Sequence, residues 1–158
     1  MSSNATPGLP DALSAERTAL LGFIALLENE QAALMENRSD ALTELSKQKT
    51  ANALELNRLV EARRELLKPI IPNQNSEAVA SWLGTHSPAE LPAWHDIVAL
   101  TQRAKQLNQV NGELIQMKLR RNQQTLTVLS NAVNKAGVYG RNGQPDFSPG
   151  SGRTLGQG

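Results

Sequence analysis

The chain has 158 residues and no cysteine, so it is long enough for one domain, while disulfides, cysteine-ligated metals and cysteine nucleophiles are excluded. Aromatic residues make up only 3% of a sequence rich in Ala, Leu, Glu and Gln, which favours helices over a large sheet. A net charge of +1 argues against general attraction to nucleic acid, and no signal peptide or membrane-spanning apolar run is evident. We therefore expect a cytoplasmic, all-α protein.

The first long helix is predicted to follow a flexible arm at residues 1–10, with Asp11 as its N-cap. Its apolar stripe has the 3-4 spacing of a helix face and consists of Leu13, Arg17, Leu20, Ile24, Leu27, Gln31 and Leu34. The pattern ends near residues 37–39, where Ser39 or Asp40 could cap a second helix. No Gly or Pro lies at this break, so one bent helix stays an alternative.

The second helix carries a more polar stripe, formed by Leu42, Leu45, Lys49, Asn52, Leu56, Leu59, Arg63 and Leu66. One interpretation of Lys49 and Asn52 is partial exposure, with the lysine stem packed on the seam. The alternative is a buried polar layer that fixes the helix register. Because Pro69 disfavours helical geometry in the preceding residue, the helix is predicted to end near Lys68.

A connector is predicted over residues 69–91. Ser76 could cap a short helix that Gly84 ends, and the sequence Ser87-Pro88-Ala89-Glu90 predicts a single turn with capping-box spacing. The last long helix is then expected to begin at Pro92.

The last helix is predicted to run to Lys135, with Gly137 ending it. Its apolar face includes Ile97, Leu100, Ala104, Leu107, Leu114, Ile115, Val128 and Leu129. It spans roughly 65 Å, against about 40 Å for each earlier helix, so shorter neighbours cannot cover it all. The predicted fold is an antiparallel bundle of three long helices over 11–136, with an uncovered apolar strip and a flexible Gly-rich tail at 137–158.

Neither an enzyme nor a metal site can be assembled from these residues. His86 and His95 are the only histidines, and a metal site needs more ligands at suitable spacing. The tail glycines are not followed by a helix, so they do not form a phosphate-binding loop. We expect no catalytic residue, no metal and no cofactor.

The last helix carries two unusual polar groups. Its basic cluster Lys118, Arg120 and Arg121 has no interleaved aromatic residue, which favours a solvated face over a nucleic-acid site. Its amide run consists of Asn108, Asn111, Asn122, Gln123 and Gln124. These amides are either exposed or form a polar ladder in a seam that accepts a guest helix. Gly112, inside the same helix, costs about 1 kcal/mol relative to Ala.

Three blocks of this region together resemble the FlgN family of flagellar export chaperones. In order, they read Leu107-Asn108-x-x-Asn111-Gly112-x-Leu114, Arg121-Asn122-Gln123-Gln124-x-Leu126-x-Val128-Leu129 and Tyr139-Gly140-x-x-Gly143-Gln144. The resemblance covers residues 106–144. It implies a helical cytoplasmic chaperone that binds C-terminal segments of hook–filament junction (hook-associated) proteins. Such a chaperone prevents their premature assembly and delivers them to the type III export apparatus.

The resemblance also implies sites and partners. The client-binding residues would be Leu114, Ile115, Leu119, Asn122, Leu126, Leu129 and Val133. Tyr139 would dock on the cytoplasmic domain of the export gate, and an export ATPase-associated component is a further expected partner. We expect neither nucleic-acid binding nor membrane insertion, and a homodimer stays open. The alternative function is a coiled-coil structural or adaptor protein that self-associates through its last helix.

Overall fold

The computed structural model describes residues 6–140, and for 137–140 it describes the backbone alone. This part of the chain is all-helical, as predicted, and contains no strand. It comprises α1 (Leu9–Met35), α2 (Ser39–Leu67), α3 (Ser76–His86), a 3-10 turn (Pro88–Glu90) and α4 (Leu91–Gly140). The chain divides into two compact units, an N-terminal unit Met1–Leu114 and a C-terminal unit Ile115–Gly158.

Helix α1 begins earlier than predicted. Gly8 is its N-cap, with a φ of 83° that a glycine adopts without strain. Asp11 lies in the first turn instead, so its prediction as the cap was wrong. The earlier start places Leu9, from the predicted arm, in the core with 1% of its surface exposed.

A left-handed turn separates α1 from α2, so the single bent helix is excluded. Asn37 has a φ of 57°, and the amide of Arg38 donates to the Ala33 carbonyl at 2.9 Å. This pattern satisfies a carbonyl at the end of α1. Arg38 is the N-cap of α2 and forms no side-chain capping bond, so the predicted caps Ser39 and Asp40 were wrong.

The connector differs from its prediction at two positions. Asn75, not Ser76, caps α3, and its side-chain oxygen accepts from the amide of Ala78 at 2.8 Å. Helix α3 continues through Gly84 to His86. The predicted turn after Ser87 is confirmed as a 3-10 turn.

The bounds of the two longest helices were predicted unequally well. The end of α2 at Leu67, with Lys68 as its C-cap, confirms the prediction from Pro69. Helix α4 begins at Leu91, and Gly137 does not end it, because the helix continues to Gly140. The rest of the predicted tail, residues 141–158, lies outside the described residues.

Helix α1 is the central element of the N-terminal unit. The predicted stripe supplies most of its buried apolar residues, namely Leu13, Leu20, Ile24, Leu27 and Leu34. Helix α2, by contrast, buries only Arg63 and Leu67. Two clusters form the core: one joins α1, α2, α3 and the start of α4 around Trp94, and the other joins Ile24 and Leu27 to Ala104 and Leu107.

Side-chain pairs fix the helix directions within the N-terminal unit. Between α1 and α2 the pairs are Glu16–Arg63 and Glu30–Lys49. Numbering rises along α1 as it falls along α2, so these helices are antiparallel. Between α1 and α4 the pairs are Arg17–Asp96 and Glu28–Arg103. Here both numbers rise together, so the first part of α4 runs parallel to α1.

Candidate interaction surface on α4

A buried polar layer joins α1, α2 and α4 in the N-terminal unit. Asn111 is fully buried, and its Nδ2 donates to the Leu27 carbonyl at 2.9 Å and to Glu30 Oε1 at 2.8 Å. Lys49 Nζ donates to the same carboxylate oxygen at 3.2 Å. The two interpretations of Lys49 therefore combine: its side chain stays partly exposed, and it also completes a polar layer. Asn111 belongs to the packing of this unit and is not available to a guest helix.

A second ionic layer lies two heptads away. Arg63 Nε donates to Glu16 Oε1 at 2.7 Å, and both side chains are buried. The Arg63 guanidinium carbon lies 4.8 Å from the centre of the Trp94 ring. Sequence reasoning missed the buried carboxylates of Glu16 and Glu30. The one signal in the sequence was a matching spacing: Glu16 and Glu30 are fourteen residues apart, and so are Lys49 and Arg63.

His86 contacts a residue of its own helix. His86 Nδ1 lies 3.1 Å from the Trp82 carbonyl, and the two rings stack with centroids 4.9 Å apart. His95 is exposed. Among the described residues, no three His, Asp or Glu side chains are grouped as a metal ion would require.

An exposed apolar ridge follows one face of α4 in the C-terminal unit. This α4 strip consists of Ile115, Leu119, Asn122, Leu126, Leu129 and Val133. The successive spacings of four and three residues keep all six within about 80° of one another on the helix. Its apolar members are between 38% and 65% exposed. The strip is about 27 Å long, which matches five turns of a partner helix.

Six of the seven predicted client-binding residues therefore share one exposed face. Leu114 does not, because it is half-buried in the N-terminal unit and lies about 100° from Ile115 around the helix. Val128, which is 66% exposed, also lies off the strip, about 100° from Leu129.

The charges of this segment have one sign. From Leu114 to Gly140 the charged residues are Lys118, Arg120, Arg121 and Lys135, and none is acidic. Only Lys118 lies directly beside the strip, about 60° from its centre, whereas Arg120, Arg121 and Lys135 lie about 120–160° away around the helix. On the side opposite Lys118, Gln116, Gln123 and Ser130 form an uncharged polar flank. The surface therefore combines apolar, amide and basic groups.

The N-terminal unit contains a separate cleft of about 570 Å³. Its lining includes Glu16 and Leu20 of α1, residues of α2 such as Val60, and residues of α4 such as Val98 and Lys105. It is open to solvent and has mixed polar and apolar walls.

Tyr139 lies within the last turn of α4. Its side chain is outside the described part of the structure. In the described residues, no helix is both long and apolar enough to cross a membrane.

Comparison with known families decides the assignment. The model of the FlgN protein family matches residues 1–146. The chain belongs to the FlgN family. The FlgN match includes every described residue, so it extends well beyond the motif block at 106–144. Neither a curated protein nor a solved structure gives a significant match to the chain. FlgN proteins are flagellar export chaperones, and this all-helical structure is consistent with that class.

Proposed function

We propose that the chain is a flagellar export chaperone that holds the C-terminal segments of hook–filament junction proteins on the α4 strip. The observation that carries the proposal is the strip itself, whose five apolar side chains are exposed along one face. Exposed apolar surface of this extent is typical of a binding site. An amphipathic helix is the partner that a straight strip with heptad spacing fits.

The strip supports reversible binding. If five apolar side chains on each helix lose the remaining half of their exposure, burial contributes about 10 kcal/mol. Association costs at least about 4 kcal/mol in lost freedom of motion, which leaves a dissociation constant of roughly tens of micromolar. An export chaperone needs such an affinity, because it must release its client at the membrane.

Titration calorimetry with C-terminal segments of junction proteins from the same flagellar system tests the site. In the variant Leu126→Asp with Leu129→Asp, two carboxylates enter the apolar interface, so we expect affinity to fall at least 100-fold. The control Val128→Asp with Asn131→Asp adds the same charge away from the strip. It should bind within threefold of the unmodified chain. Equal loss in both variants would contradict the proposed site.

We also propose that Tyr139 acts in delivery, by docking on the cytoplasmic domain of the export gate. Tyr139→Ala should then weaken gate binding and leave client binding unchanged, with Val138→Ala as the neighbouring control. An export ATPase-associated component is the second delivery partner to assay. If Tyr139→Ala weakens client and gate binding equally, the two roles are not separate.

A further inference from the structure

We propose that the α4 strip selects an acidic amphipathic helix that places one amide or hydroxyl side chain opposite Asn122. This inference rests on the proposed function and specifies which partner segments the strip accepts. Asn122 is the one polar residue of the strip, and it lies between Leu119 and Leu126 on the same face. A helix that covers these leucines also removes water from the Asn122 amide.

A desolvated amide requires hydrogen-bond partners. If the facing residue is apolar, Asn122 keeps unpaired groups and affinity falls roughly tenfold or more. If the facing residue is an amide or a hydroxyl, the groups pair and the penalty is removed. A single polar position in an apolar seam therefore fixes the register of the partner helix.

Asn111 shows this chemistry between helices of the same chain. It is fully buried, and its Nδ2 is shared between a backbone carbonyl and a carboxylate of α1 at 2.9 and 2.8 Å. An asparagine of α4 thus donates its Nδ2 to acceptors of a neighbouring helix once water is excluded, while the Oδ1 of Asn111 is buried without a partner. Asn122 is exposed and has the same donor and acceptor set.

Charge decides between an acidic partner and a second copy of this chain. Lys118 lies beside the strip, Arg120, Arg121 and Lys135 lie farther around the same helix, and no acidic residue occurs between Leu114 and Gly140, so the segment is uniformly basic. Two copies packed through their strips bring together two segments of the same net positive charge, which disfavours self-association. Acidic residues beside the apolar seam of a partner complement these charges and speed its association.

The test uses four fluorescein-labelled, three-heptad helical peptides and the full chain, with binding followed by fluorescence anisotropy. The peptides carry Glu or Lys beside a leucine seam, and Asn or Leu at the central seam position. We expect the Glu peptide with Asn to bind tightest. Exchange of Glu for Lys should lower affinity at least tenfold at low salt and less at high salt. Exchange of Asn for Leu should lower it about tenfold.

Variants of the chain assign the preference to one residue. Asn122→Leu should reverse the preference, so that the leucine peptide binds more tightly than the asparagine peptide. Asn131→Leu is the matched control, because nine residues along a helix place it on the opposite face. It should keep the original preference. Both residues are exposed, so neither substitution disturbs a core.

Three results would overturn the inference. The first is equal affinity for the Glu and Lys peptides at low salt, and the second is an unchanged preference in Asn122→Leu. The third is a dimer in sedimentation that Leu126→Asp with Leu129→Asp dissociates, which makes a second copy the occupant.

Titration with junction-protein segments separates this inference from the proposed function. If those segments bind the strip but the peptides show no preference, the inference fails and the function stands. If the peptide preferences hold but no junction segment binds, the function fails and the strip's selectivity stands.

Discussion

Replacing Arg63 with Met is expected to be among the most destabilising single changes in the N-terminal unit. The guanidinium makes two hydrogen bonds to Glu16, at 2.7 and 3.2 Å. The two side chains are only 8% and 2% exposed, and Arg63 also lies over the Trp94 ring. Methionine keeps much of the packing volume and removes the charge.

The expected loss follows from the carboxylate that is left behind. A buried charge whose partner is removed destabilises the fold by about 3–5 kcal/mol. The lost contact with Trp94 adds about 1 kcal/mol. The double variant Glu16→Leu with Arg63→Met leaves no buried charge, so its free energy of unfolding should lie within about 1 kcal/mol of the unmodified chain or above it.

Urea unfolding followed by tryptophan fluorescence measures this directly, because Trp82 and Trp94 both lie in the N-terminal unit. Arg64→Met is the matched control. Its pair with Glu61 is more than half exposed on both sides, so its loss should cost less than about 1 kcal/mol. The reasoning is refuted if Arg63→Met costs less than about 1 kcal/mol, or if the double variant is as unstable as the single one.

Three further predictions concern other contacts. Asn111→Leu should lower the unfolding free energy by about 1–3 kcal/mol in the same assay, because Leu27 and Glu30 each lose a buried hydrogen bond, and Lys49 alone still donates to Glu30; no change would refute this. Gly112→Ala should raise it by about 0.5–1 kcal/mol, because an added Cβ meets nothing within 4 Å; a loss would reveal an unseen contact. Hydrogen bonds from Arg58 hold the pKa of Glu55 below its ordinary value. This contact therefore stabilises α2 above the ordinary carboxyl range and is lost as pH falls through the lowered pKa. NMR titration of Arg58→Gln should show the Glu55 pKa rising, and an unchanged value would contradict this cause.

Apolar periodicity predicted those features that depend on one face of a single helix. The stripe from Leu13 to Leu34 became the buried face of α1, and the exposed strip on α4 followed from the greater predicted length of this helix. Both inferences require only helical geometry.

The buried polar contacts between helices could not be predicted from periodicity. The burial of Glu16 and Glu30 depends on the antiparallel register, which places Arg63 and Lys49 beside them. The role of Asn111 was equally hidden, because its acceptors lie more than eighty residues away in sequence. Pairing over such distances is a property of the fold and leaves little local signal.

Helix ends were the least predictable local feature. Gly137 was expected to stop α4, yet the helix continues to Gly140. Glycine permits a left-handed C-terminal cap but does not impose one, and inside a long helix it costs only about 1 kcal/mol. Gly8, which does adopt the left-handed geometry, caps α1 at its start instead.

Hydrogen exchange of the full chain, with and without a junction-protein C-terminal segment, tests the central claim most directly. The account predicts that amide protection rises across residues 115–133 on binding and changes little in α1 and α2. An amide exchanges more slowly when its helical turn opens less often. The turns that a docked client covers can therefore be identified from the amides whose exchange slows. Protection confined to the cleft between α2 and the first part of α4, with no change across the α4 strip, would contradict the account.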